Sequence, residues 1–265
     1  MNRITKKFKE KGGDEKLMSL FITAGYPDLE STVELILGFE KNGADIIELG
    51  MPFSDPLADG PTIQYSSDVA IEKGISIEKI MEMVAEIRMY SEIPIILMGY
   101  MNPVLRYGVS KFCERAKEVG VDGIILPDIP VEEADIIENK AANVGIPIIY
   151  LVAPNTTDDR MELADEKSDG FVYCVSVTGV TGARSGAENS KSVDRFIKRV
   201  RTKVVKNPVM IGFGIKSFED AVQISENADG FIVGSALINQ IKHHYPKQNW
   251  KEDVFSFVHT LKFGQ

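Results

Sequence analysis

A (β/α)8 (TIM) barrel, an α/β fold, is predicted for this chain by two observations. Eight short apolar runs recur along it, each followed by a stretch with helical spacing. The runs also alternate in how the chain turns into them. The second, fourth, sixth and eighth are reached through small or acidic turns, Ala44-Asp45, Asp122-Gly123, Asp169-Gly170 and Asp229-Gly230. The third, fifth and seventh are reached through proline, at Ile93-Pro94, Ile146-Pro147 and Asn207-Pro208. Proline is tolerated at the first residue of a strand, and Asp-Gly suits the turn that ends a helix. An open doubly wound sheet is the alternative reading of the same pattern.

Taken in order, Ile4 and Phe8 stand four apart in a Lys-rich segment. They predict a short N-terminal amphipathic helix, which Gly12-Gly13 ends. The runs then occupy 17–23, 45–49, 94–99, 123–126, 147–152, 170–175, 208–212 and 230–233. They are rich in Ile, Val and Leu without polar alternation, as strands buried on both faces should be. Between them Ile77, Ile80, Met81, Val84 and Ile87 form one helix face. Val193, Phe196, Ile197, Val200 and Val204 form another, and Val33, Ile36 and Leu37 mark a third. No linker or composition break divides the chain, so residues 1–265 are expected to form a single domain.

With 265 residues, 44% of them hydrophobic, the chain can bury an ample core. Its net charge of -9 argues against nucleic acid and anionic membrane as partners, because both want a basic face. A small anionic ligand held by backbone N–H groups stays possible. No apolar run approaches the ~18–20 residues of a membrane span. The start, MNRITKKFKEKGG, lacks the apolar segment of a signal peptide, so a cytoplasmic location is expected. Cys113 and Cys174 lie outside any C-x-x-C motif and read as reduced, near-core thiols.

In such a barrel the chemistry belongs at the C-terminal ends of the strands. Glu48 shares a strand face with Ile46, and a carboxylate pointing inward must be paired or carry a raised pKa. None of the eight runs contains Lys, Arg or His, so no strand supplies a partner. A desolvated Glu is suited to general acid–base work near neutral pH. A structural ion pair with a helix lysine is the alternative, should the side chain face outward. Asp59 follows on the loop of the stretch 48–64, either as a second acid or as a turn residue in Asp-Gly-Pro. Gly212-Phe213-Gly214 and Gly234-Ser235 follow runs seven and eight, where barrels often hold phosphate, although tight turns would need the same glycines. The Gly-rich segment 179–186 reads as a lid or as an ordinary surface loop. No run offers a Schiff-base lysine, and His243, His244 and His259 lie beyond run eight without metal-pair spacing. Bond cleavage here is therefore expected to use acid–base catalysis and the substrate's own electron sink, with no metal.

ELGMPFSDPLADGPTIQ, LPDIPVEE, VTGVTG, GFGI and FIVGSA occur in this order, and the chain from Leu17 to its end resembles the tryptophan synthase alpha subunit. The resemblance implies a lyase without metal or organic cofactor that splits indole-3-glycerol phosphate into indole and glyceraldehyde 3-phosphate by a retro-aldol reaction. It places the family's catalytic glutamate at Glu48, as proton carrier. It places the aspartate at Asp59, holding the indole N–H. Tyr173 would lie near Glu48 and the glycerol chain, and Thr181 and Gly182 in the lid, with Thr181 orienting Asp59. Phe213, Gly214, Gly234 and Ser235 would surround the phosphate. Phe21, Ile63, Tyr100 and Ile125 would line the indole pocket, or be plain core. The resemblance also implies a beta subunit carrying pyridoxal phosphate in an alpha2beta2 assembly, docked on Phe53, Asp55 and Pro56. A stand-alone lyase, another phosphosugar enzyme and a non-catalytic phosphate-binding regulator are the alternatives.

Overall fold

The computed structural model describes residues 2–175, 187–212 and 214–265. Eight strands form, β1 Leu17–Thr23, β2 Ile46–Gly50, β3 Ile95–Met98, β4 Gly123–Ile125, β5 Leu151–Val152, β6 Val172–Val175, β7 Val209–Gly212 and β8 Gly230–Val233. All pair in parallel, in the order β4-β3-β2-β1-β8-β7-β6-β5. A parallel bridge between Ile124 and Ile148 joins the two ends. There Ile124 donates to the Pro147 carbonyl and accepts from the Ile149 N–H, both at 3.0 Å. The cylinder is closed, and the open-sheet alternative falls.

The runs and the strands coincide closely except at β5. Ile148 pairs with β4, whereas Leu151 and Val152 pair with β6. The run changes partner part-way, so only its end is a regular strand. Helices cover the outside as the 3.6 period requires. The helix Ile77–Arg88 buries Ile80, Met81, Val84 and Ile87, and Ser76 caps it by accepting from Lys79 N. Along β1, Met18, Leu20 and Ile22 face that outer layer while Leu17 joins the barrel interior. Both faces are buried, which is why the strands read as unbroken apolar runs. No helix among the described residues is long and apolar enough to cross a membrane.

The alternation of strand approaches has a physical cause at the N-terminal mouth. Proline cannot donate, but Pro94, Pro147 and Pro208 each offer a carbonyl, which Ile47, Ile124 and Val172 N–H engage at 2.9, 3.0 and 2.8 Å. The next donors on the odd strands are caught by a polar side chain at the approach to the strand that follows. Asp45 accepts from Met18 N, Asp122 from Ile95 N and Asp229 from Val209 N, at 2.8–2.9 Å. On run five the donor caught lies further along, Tyr150 N three residues past Pro147, and Ser168, one residue before the expected Asp169, accepts from it at 3.1 Å.

The N-terminal helix, Arg3–Glu10, closes this mouth. Asn2 caps it by accepting from Ile4 N at 2.8 Å. Its Ile4 is fully buried in the interior cluster with Leu17, Ile46 and Phe171, a burial that contributes about 1.5–3 kcal/mol. Phe8 packs beside Phe171 with ring centroids 6.1 Å apart. Arg3 reaches Asp122 at 3.1 Å, Lys7 reaches Asp45 at 3.9 Å, and Lys11 reaches Asp229 at 3.6 Å. Each aspartate also holds a second cation, Arg88, Lys262 or Arg201, at 2.7–2.9 Å.

Candidate active site

Strand alternation turns Ile46 and Glu48 of β2 into the barrel. Glu48 is wholly buried, and Ser19 Oγ on β1 donates to its Oε1 at 2.7 Å. Its Oε2 has no partner, the one buried side-chain polar atom so placed among the described residues. Burial pushes this carboxyl from its ordinary 4.5 up to about 8, and the Ser19 donation pulls it back only in part. Among the described residues no cation opposes the shift, and the inward, buried side chain rules out the outward-facing ion pair. Tyr173 of β6 shares the interior. Its phenol is held protonated by burial first, then by the negative fields of Glu48 and Asp59. Gly212 on β7 makes room for that ring, since a Cβ there would stand 2.8 Å from Tyr173 Oη.

Asp59 sits on the loop beyond β2, where its N–H donates to the Pro56 carbonyl at 3.1 Å. It is half-buried, and burial raises its carboxyl to about 6 against the Tyr100 hydroxyl, which lowers it. Tyr100 Oη also accepts from Ala58 N at 3.0 Å, fixing the loop that carries the acid. Asp59, Phe21, Ile63 and Tyr100 line one pocket together with Thr23 and Met98. Gly50 lies in its wall, where a Cβ would meet the Phe21 ring at 2.6 Å. Pro61 opens the helix Pro61–Glu72 behind Asp59, and Thr23 Oγ1 holds Ser66 Oγ of that helix at 2.6 Å. Ile125 is fully buried in the interior cluster and lies outside the pocket lining.

The glycine turns after β7 and β8 stand at the same mouth. Gly214 adopts φ 56°, a left-handed conformation that glycine takes without strain. Gly234 caps the helix Ser235–His244, whose first internal bond runs from Ile238 N to Gly234 O at 3.1 Å. The N–H groups of Ser235, Ala236 and Leu237 precede that bond and point out of the helix end, an arrangement that favours an anion. A Cβ at Gly234 would lie 3.4 Å from Phe21 Cβ, so this helix end adjoins the pocket. Thr181, Gly182 and Phe213 lie outside the described residues. On the loop after β2, Phe53 packs on Tyr100 with centroids 5.5 Å apart, and Asp55 accepts from Ser54 Oγ at 2.6 Å. Pro56 is half-buried, and Leu57 beside it is 98% exposed. Among the described residues no group of three His, Cys, Asp or Glu could hold a metal.

The sequence reading missed Ser19. Its signal was a hydroxyl on the inward face of β1 between Leu17 and Phe21, legible only once β1 and β2 are set in register.

A family model described as tryptophan synthase alpha chain matches residues 8–262. The chain belongs to that family. A tryptophan synthase alpha chain from Thermoanaerobacter sp. (strain X514) is 48% identical over 99% of both chains. The crystal structure of tryptophan synthase subunit alpha from Legionella pneumophila str. Paris superposes with a TM-score of 0.90 at 38% identity, covering 99% of this chain and 97% of that one. The tryptophan synthase complex from Pyrococcus furiosus gives 0.83 at 36% identity, covering 95% and 99%. Their shared barrel agrees with the architecture described above.

Proposed function

We propose that this chain is the alpha subunit of tryptophan synthase, a lyase that cleaves indole-3-glycerol phosphate to indole and glyceraldehyde 3-phosphate. The carboxyl of Glu48, unpaired at Oε2 inside a barrel that offers it no cation, is the observation that carries the assignment. With a pKa near 8 it is mostly protonated at neutral pH yet ionises readily, so it can both give and take a proton.

The reaction follows from that property. Glu48 protonates indole C3, and the ring becomes an iminium. Asp59, raised only to about 6, is ionised at neutral pH; it accepts the ring N–H and stabilises the positive charge. Glu48, now a carboxylate, takes the proton from the hydroxyl on the carbon attached to C3, and the C–C bond breaks. The bonding pair returns to the ring, indole is released and the side chain leaves as an aldehyde. Tyr173, held protonated, can donate to the glycerol oxygens. Phe21, Ile63 and Tyr100 hold the indole, with Ile125 beneath as their support. Gly214, Gly234 and Ser235, with Phe213, take the phosphate, and Thr181 and Gly182 contribute to substrate binding.

The chain works as one domain, needs no cofactor of its own, and docks through Phe53, Asp55 and Pro56 on a beta subunit that carries pyridoxal phosphate. The almost fully exposed Leu57, on a loop that ends at Asp59, supports that surface. Indole release from indole-3-glycerol phosphate, with and without a beta subunit, tests the reading. Glu48→Gln is expected to remove turnover while the fold remains. Near-normal turnover in that variant would falsify the assignment.

A further inference from the structure

We infer that Ser19 is a positioning residue for Glu48, anchoring one carboxyl oxygen to the barrel wall so that the other faces the substrate. The inference rests on the function proposed above and adds a residue to it. Both side chains are wholly buried, and among the described residues the 2.7 Å bond between them is the one hydrogen bond on the carboxyl, since Oε2 is left open. Ser19 pairs in register with Ile46, so its hydroxyl reaches diagonally across the ladder to the residue two further on.

An inward position on a central strand favours an apolar or β-branched residue, and a buried hydroxyl is unfavourable unless it is hydrogen-bonded. Ser19 meets that condition through Glu48. The bond fixes the carboxyl rotamer, and as a donor it favours the ionised form against the burial that opposes it. The other groups facing Glu48 do neither. Among the described residues Tyr173 from β6 is the titratable one, and the neighbour of Glu48 in register on β3, Ile96, is apolar.

Threonine and valine have nearly the same shape and differ in the hydroxyl, which makes Ser19→Thr and Ser19→Val the informative pair. Both are assayed for indole release across pH, alone and saturated with beta subunit, with Ser19→Ala as a second hydroxyl-free variant should the valine protein fail to fold. In Ser19→Val the pH limb belonging to Glu48 is expected to move upward by about one unit, because a bond to a charged group has been lost. At pH 7 kcat should fall roughly tenfold and KM should stay within about twofold. Ser19→Thr should restore both the limb and kcat. An unshifted limb in the hydroxyl-free variants, or threonine no better than valine, overturns the positioning role while the lyase reading stands. Turnover surviving Glu48→Gln overturns the lyase reading itself, whatever Ser19 does.

Discussion

At the N-terminal mouth Asp45, Asp122 and Asp229 each accept a strand N–H and each face two cations. Deeper in the same cylinder Glu48 has, among the described residues, one hydroxyl as hydrogen-bond partner. Burial drives the carboxyls of Asp122 and Glu48 upward. In Asp122 it is opposed by the Ile95 N–H, Arg88 and Arg3; in Glu48 only Ser19 opposes it, and the pKa reaches about 8. What separates Asp122, a structural acid, from the reactive Glu48 is the number of partners, since both are buried. One mouth is wired for stability and the other is left incomplete for chemistry.

The largest effect that tests this contrast is Glu48→Gln, for which turnover should fall by about two to four orders of magnitude with native circular dichroism. Asp122→Ala should do the opposite. It strands Arg88 and the Ile95 N–H in a buried site and should lower stability by about 3–5 kcal/mol in urea, while kcat per folded molecule stays unchanged. Ile4→Ala removes the side chain that plugs the mouth and should cost about 2–4 kcal/mol by the same measurement. A subtler difference lies in pH. Because folding raises the Glu48 pKa, its contribution is most favourable below about 4.5 and is lost as pH rises through about 8. The drop in stability over that window should therefore shrink in Glu48→Gln, and an unchanged slope would count against the buried carboxyl. Least of all should come from Lys6→Ala. Its pair with Glu10, 3.7 Å apart and more than half exposed on both sides, should leave the urea midpoint where it is.

Most of the cylinder could be read from the residues because its strands are buried on both faces and so appear as unbroken apolar runs. Run 147–152 was the exception, for its length is shared between two neighbours and only tertiary pairing reveals where. The alternation between proline and Asp-Gly was visible, but its cause was not. That required seeing which carbonyl and which carboxylate meet across strands. Glu48 stood out because the runs around it carry no positive charge. Ser19 did not, since its meaning depends on β1 and β2 being in register. Ile125 is apolar like Ile63 of the pocket lining, and only the packing of its side chain places it in the interior cluster.

The closure of the cylinder has a consequence for motion. The weld between its two ends depends on the peptide groups of a single residue, Ile124. Beside it, Ile4 would touch a Cβ at Gly123 at 3.1 Å and one at Gly170 at 3.2 Å, so the plug packs on β4 at the weld and on the approach to β6 beyond β5. Hydrogen exchange at the Ile124 and Ile149 amides is thus a gauge of whether the first helix is seated, and the cylinder unrolls from there when it is not.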